Sequence, residues 1–115
     1  MHQDCIFCKI AAGEIPAKMI YEDDQVVAFL DINPVAPVHV LVIPKKHIAN
    51  LMDTQPEDLA LLGHAMLVIK QIASQLGLSD DGFRVVVNTK HNGGQTVPHL
   101  HWHVLGGRFM NWPPG

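Results

Sequence analysis

Residues 99 to 105 read HLHWHVL, three histidines alternating with Leu100, Trp102 and Val104. On an extended strand successive side chains point to opposite faces, so this stretch puts three imidazoles on one side and apolar residues on the other. A half-buried strand ordinarily mixes Thr, Ser, Lys and Glu on its polar face. Here that face carries imidazole alone, and the chain must build a sheet that has a use for it.

The remaining segments supply such a sheet. Residues 5 to 12 read as a short helix ended by Gly13, and strands are expected at about 19–22 and 26–31, turned at Glu22–Asp24. A third strand at about 38–43 should stop at Pro44, because proline continues a ladder only at an edge or an end. Thr54 and Glu57 are spaced as a capping box, with Pro56 tolerable in the first turn of a long helix. Leu59, Leu62, Met66, Ile69, Ala73 and Leu76 follow the helical period, and Gly77 stands where a C-terminal cap belongs. His64, inside that helix with no companion nearby in sequence, reads as a tolerated polar position. Residues 82–88 (GFRVVVN) give a fourth strand and 99–105 a fifth, with the polar loop TKHNGGQTVP before the histidines. The order β-β-β-α-β-β behind a short helix predicts an α+β domain: a five-stranded antiparallel sheet with helices on one face.

The 115 residues suffice for one domain, 1–115, with a single core. A net charge of −3 argues against a nucleic-acid backbone binder, which normally shows a basic surface. No apolar run approaches the ~20 residues of a membrane span. The N-terminal MHQDCIFCKI lacks the basic-then-apolar pattern of a signal peptide, so a cytoplasmic location is expected. Cys5 and Cys8 are spaced C-x-x-C, which in a reducing compartment suits half a metal site or a redox pair better than a structural disulfide. Two reduced, buried thiols are the plain alternative.

The histidine face admits three readings. The imidazoles could be solvated strand residues. They could form a three-histidine metal site, but the His99 and His103 Cα atoms on a flat strand would lie roughly 13 Å apart, so that with ~2 Å bonds at most two rings reach one ion comfortably. Or imidazole itself does the chemistry. A histidine can act as nucleophile while neighbouring imidazoles move protons near neutral pH, and a cationic imidazole can stabilise a phosphoryl group or protonate its leaving group. The loop ahead favours the third reading: Gly93 and Gly94 let backbone N–H groups approach an anion, and Gln95 and Thr96 add polar contacts.

HLHWHVL matches the H-φ-H-φ-H-φ-φ motif (φ apolar) of the histidine triad (HIT) family of nucleotide hydrolases and transferases, which the chain resembles over nearly its whole length. EIPAKMIYEDDQVVAFLDINPVAPVHVLVIPKKHI is similar to the family's N-terminal half, LLGHAMLV to its long helix and NGGQTVPHLHWHVLGGR to its signature. The closing WPPG resembles the branch of histidine triad nucleotide-binding proteins. The resemblance implies a HIT-like fold and a homodimer, with the long helix and the strand near 82–88 at its interface. The implied activity is hydrolysis of the P–N bond in purine nucleoside phosphoramidates such as adenosine 5′-monophosphoramidate and AMP–lysine, with no metal needed for the reaction.

By that resemblance His101 is the nucleophile, His103 contacts the phosphate and helps proton transfer, and His99 and His39 complete the cluster. Asp31 would take the ribose hydroxyls, and Phe7, Ile10, Ile15, Phe29 and Ile32 would wall the base. Asn88, Gly94, Gln95 and Thr96 would surround the phosphate, and Trp112 would reach toward the partner's site. Pro98 departs from the larger residue common in that branch, which leaves amine preference open. Bacterial relatives with C-x-x-C implied a further expectation, a structural zinc on Cys5, Cys8, His47 and His99. Dinucleoside polyphosphate hydrolysis is the alternative activity, and a slow-turnover nucleotide-binding regulator the alternative role.

Overall fold

The computed structural model describes residues 4–115. Helix α1 (Ile6–Ala11) leads into strands β1 (Met19–Glu22), β2 (Val26–Leu30) and β3 (Val38–Pro44), then helix α2 (Leu59–Gln75), β4 (Phe83–Val86) and β5 (Trp102–Gly106). The strands form one antiparallel sheet ordered β1-β2-β3-β5-β4, the α+β class expected from the sequence, but the two helices cover opposite faces rather than the single face expected, because the central strands are apolar on both sides. No helix among the described residues is long and apolar enough to cross a membrane.

Both faces of the central strands are covered. Val26, Ala28, Val40, Val42, Trp102 and Val104 pack with Val68, Ile69 and Ile72 of α2, while Val27, Phe29, Leu41 and Ile43 pack with Phe7 and Ile10 of α1. This explains why β3 reads VHVLVIP, nearly continuous in apolar residues: a strand buried on both sides has no wet face to alternate with. The one polar position in that run is His39, which is 5% exposed.

Four local expectations change. The fifth strand begins at Trp102 rather than at His99. In the β3–β5 register Val42 faces Trp102, so residues 100 and 101 would fall opposite Pro44 and Ile43. Pro44 has no N–H to give, and the Leu100 N–H bonds the Ile48 carbonyl at 2.6 Å instead. The alternation of faces nevertheless continues through the unpaired residues, since Leu100 lies in the α2-side core.

The capping box lies one residue later than Thr54 and Glu57 suggest, on the 3₁₀ turn that precedes α2. The Thr54 hydroxyl turns back to donate to the Leu51 carbonyl (2.7 Å), and the Gln55 N–H donates to the Asp58 carboxylate (2.9 Å). A single 3₁₀ turn, Pro56–Asp58, then opens the helix. At the other end Gly77, with φ +76°, follows the cap residue Leu76 as expected.

The buried stripe of α2 is Ala65, Val68, Ile69, Ile72 and Ala73, with Leu62 and Leu76 at its border; Leu59 and Met66 are exposed. The helix is apolar nearly all round, so its period alone could not tell which stripe meets the sheet. Last, His64 has a companion distant in sequence. Its Nε2 lies 2.6 Å from Asp23, which also accepts the Tyr21 hydroxyl at 2.6 Å, so α2 is tied to the β1–β2 turn.

Candidate active site and metal cluster

On the α1 side of the sheet lies a cavity of about 600 Å³. Phe7, Ile10, Ile15, Phe29 and Ile32, expected to hold a base, all line it. Phe7 meets Phe29 edge to face with ring centroids 5.6 Å apart, and Ile32 stands at the rim, 90% exposed. Asp31, His39, His101 and His103 line the same cavity, as do Asn88, Gly94 and Thr96. The structure thus brings together most of the residues singled out from sequence.

Four residues lie elsewhere. Gln95 does not line the cavity: its amide donates to the Ala49 and Val97 carbonyls (2.8 and 2.9 Å) and accepts the Lys90 N–H. It braces the loop rather than offering polar contact to a ligand. Gly93 fits tightly within that loop, since a Cβ there would fall 2.5 Å from the Thr89 carbonyl oxygen. Trp112 is 81% exposed and outside the cavity of its own chain. The His99 ring points away from the cavity, toward the cysteines.

The hydrogen bonds assign the tautomers. His101 Nδ1 lies 2.6 Å from the His99 carbonyl, which can only accept, so Nδ1 carries the proton and Nε2 keeps its lone pair. The Val35 N–H donates to His39 Nδ1 (3.2 Å), so the His39 proton sits on Nε2. From there it is given to His103 Nδ1 at 2.9 Å, with Asp31 Oδ2 at 3.3 Å beside it. His103 is thereby left with its proton on Nε2. One cavity wall therefore carries a lone pair on His101 and a donor on His103, with ring centroids 5.0 Å apart.

All three rings are held neutral. Burial lowers His39, with Asp31 opposing it, and burial lowers His101. His103 falls to about 4 through burial and then the proximity of His101 and His39. In the free chain His103 is thus a neutral donor at pH 7.

Cys5, Cys8, His47 and His99 form a second cluster whose donor atoms lie within 4.8 Å of one another. Cys5 Sγ is 3.3 Å from His99 Nδ1, and Cys8 Sγ is 3.2 Å from His47 Nδ1 and 3.5 Å from His99 Nδ1. Tetrahedral zinc with ordinary Zn–S and Zn–N bonds sets such S···N edges at about 3.5 Å. The His99 Nε2–H donates to the Pro44 carbonyl at 2.8 Å, which fixes the Nδ1 lone pair on the sulfur side, as metal-binding histidines require. Burial, then Cys5, pushes the Cys8 thiol up to about 11, so its thiolate at neutral pH needs a cation. The donor set fits zinc. Asp31, His39 and His103 also approach one another, but the His39 proton already occupies His103 Nδ1, so this trio is a hydrogen-bonded relay.

Sequence reasoning missed the main-chain partners: the Val35 N–H and the Pro44 and His99 carbonyls. No side-chain signal announces a backbone group, and only the folded path brings them into place. The Ile6, Leu41 and Val97 walls of the cavity were missed as well, being ordinary apolar residues in the sequence.

The HIT domain family matches this chain over residues 12–110. An uncharacterized HIT-like protein of Synechococcus elongatus is 57% identical over 115 residues, covering all of both chains. A crystal structure of a HIT family hydrolase from Legionella pneumophila shares 52% identity and a TM-score of 0.95, covering 96% of this chain and 99% of that one. A histidine triad nucleotide-binding protein from Candida albicans shares 36% identity and a TM-score of 0.82, over 95% of this chain and 82% of that one. With that match and the fold in agreement, the chain belongs to the HIT domain family.

Proposed function

We propose that this protein is a purine nucleoside phosphoramidase that cleaves the P–N bond of AMP or GMP amides through a nucleotidyl-histidine intermediate. The observation that carries the reading is the pinned tautomer of His101, which aims an unprotonated Nε2 at a cavity with an apolar end and a carboxylate. Phe7 and Phe29 would take the base, Asp31 the ribose hydroxyls, and Asn88, Thr96 and the Gly94 turn the phosphate. The Legionella relative's description as a hydrolase and the Candida relative's as nucleotide-binding point the same way.

In this mechanism an anionic phosphate bound beside His103 offsets the burial that keeps the ring neutral, and the ring takes up a proton at Nδ1 as the His39 Nε2–H turns to Asp31. His101 Nε2 attacks phosphorus, the P–N bond breaks, and its electron pair leaves on nitrogen, which takes the His103 proton. His103 then accepts a proton from water as the water oxygen attacks phosphorus and displaces Nε2. The His101 Nδ1–H bond to the His99 carbonyl stabilises the positive charge on the nucleotidylated ring. The reaction needs no metal. Purified protein incubated with adenosine 5′-monophosphoramidate should release AMP, and acid quenching should trap AMP on His101. No turnover, or AMP trapped on another residue, refutes the reading; nucleotide binding with no turnover would favour a regulatory role.

The second cluster supports a structural zinc on Cys5, Cys8, His47 and His99, which would tether α1, with Phe7 and Ile10, over the cavity. Protein purified without a histidine tag or chelator should carry about one zinc per chain, and less than about a tenth of that would remove the site. A homodimer is supported by the open edge of β4 and by exposed Leu59, Met66, Leu67 and Phe83. Light scattering should give about twice 12.7 kDa, and a monomer at micromolar concentration would overturn it.

A further inference from the structure

Helix α1 buries Phe7 and Ile10, and the Phe7 ring stands where the two histidine clusters meet. It packs nearly at right angles on His101, with centroids 5.1 Å apart and planes at 85°. It also meets His99 and Phe29 edge-on, at 5.9 and 5.6 Å. Ring pairs of this spacing and tilt are attractive and directional. The helix is fixed at this end by its own cap: the Cys8 N–H donates to Cys5 Sγ at 3.3 Å, and the Lys9 N–H to the Cys5 carbonyl at 3.1 Å.

His101 needs such a contact. Its Nδ1–H bond to the His99 carbonyl, 2.6 Å long, fixes one atom of the ring. One hydrogen bond leaves the ring free to rock about that atom, and rocking swings Nε2, across the ring, off the line of attack. In-line attack tolerates little misplacement. The His103 ring also packs on His101, at 5.0 Å and 63°. In the proposed reaction His103 takes up and gives away protons in every cycle, so its contacts change from step to step. Phe7 has no proton to exchange, and its contact persists throughout.

We propose that Phe7 is a positioning residue for the nucleophile: its ring fixes the plane of the His101 imidazole, and so the direction of the Nε2 lone pair, in addition to walling the base. The proposal rests on the phosphoramidase reading for its kinetic form and deepens it. Any apolar side chain can wall a base, as Ile10 and Ile15 would in the same cavity. A right-angled contact that holds another ring's plane needs a flat ring.

The test removes the base from the substrate. Ribose 5′-phosphoramidate keeps the P–N bond and the ribose and has nothing for a base wall to hold. Phe7→Leu should lower its kcat/KM about tenfold, the scale of one aromatic pair, and Phe7→Tyr, which keeps the ring, should recover most of the loss. Ile10→Ala trims the same helix and cavity and removes no ring. It should raise KM for adenosine 5′-monophosphoramidate and leave the ribose substrate within about twofold. A readout without turnover is the order of the His101 ring. NMR relaxation at its Cε1–H bond should report a rigid ring in the unmodified protein and in Phe7→Tyr, and wider motion in Phe7→Leu. A ribose substrate indifferent to Phe7→Leu means that Phe7 serves the base alone, and overturns the proposal. Equal losses on that substrate for Phe7→Leu and Ile10→Ala mean that the helix merely supports the fold, and overturn it too, as does a His101 ring equally rigid in Phe7→Leu. Should no phosphoramidate turn over, the phosphoramidase reading falls, while ring order still decides the positioning.

Discussion

His47 and His99 stand among sulfurs at one end of the sheet, while His39, His101 and His103 stand among themselves beside a cavity. Both groups consist of imidazoles on the α1 side, and both are oriented by backbone atoms. In the first, His99 gives its outward proton to Pro44 and turns its lone pair inward, so donors converge on one point. In the second, Val35 caps the far nitrogen of His39, each proton is passed along, and the chain of bonds ends with His103 Nε2–H at the cavity wall. On the proposed roles, histidine serves as an anchor or as a reagent according to which ring nitrogen the main chain engages.

The largest effect that separates the groups is expected at His101, the proposed nucleophile. His101→Ala should lower kcat for an AMP amide by about a thousandfold or more, with AMP affinity changed only a few-fold, because the rest of the pocket remains. Turnover above a small fraction of the unmodified protein's would place the nucleophile elsewhere. Next is His39→Gln, expected to lower kcat about a hundredfold, the scale of a lost proton-transfer arrangement. It should also shift the pH profile. His39 is one of the groups that hold His103 down, so its removal should raise the His103 pKa and move the alkaline limb, where His103 loses the proton it must give the leaving nitrogen, to higher pH. An unchanged limb would break the relay.

A smaller effect on turnover is expected at the anchor. Cys8→Ser should cost less than about tenfold in kcat while removing the proposed zinc and lowering Tm by about 10 °C. A loss of activity as large as that of His101→Ala with Tm intact would mean that the two groups are not separate in function.

The smallest effect is on stability. An unfolded chain protonates its histidines near 6.5, whereas folded His103 refuses a proton until about 4, and His39 is lowered by burial too. The unfolded state therefore binds more protons between these values, and stability should decline as pH falls through that window and rise as pH increases. Denaturant titrations at pH 7.5 and 5.0 measure it, and equal midpoints would contradict the neutral rings.

Much of the fold was legible because β3, α2 and the histidine alternation each carry a strong local pattern. The Gly77 stop was read correctly for the same reason: a left-handed residue after a helix has few solutions. Legibility failed where a choice was tertiary. Thr54 and Gln55 can both cap a helix, and the backward bond of Thr54 to Leu51 decided between them. Leu59 and Met66 match the period as well as Val68 and Ile72 do, but only the sheet selects the face. Gln95 looked like a ligand group because nothing in its neighbours reveals that Ala49, 46 positions away, takes its amide. The Cys8–His47 approach was anticipated from ligand chemistry rather than from any local pattern, which is why it reached across 39 positions.

His99 belongs to both groups, but through different atoms: its ring faces the sulfurs, and its carbonyl holds His101. Every residue type at position 99 brings the same carbonyl. A lineage could therefore discard the ring, and with it the cysteines, and still inherit the main-chain oxygen that aims the nucleophile. On the proposed roles, the anchor depends on a side chain that substitution can remove, while the aim depends on a backbone atom that substitution leaves in place.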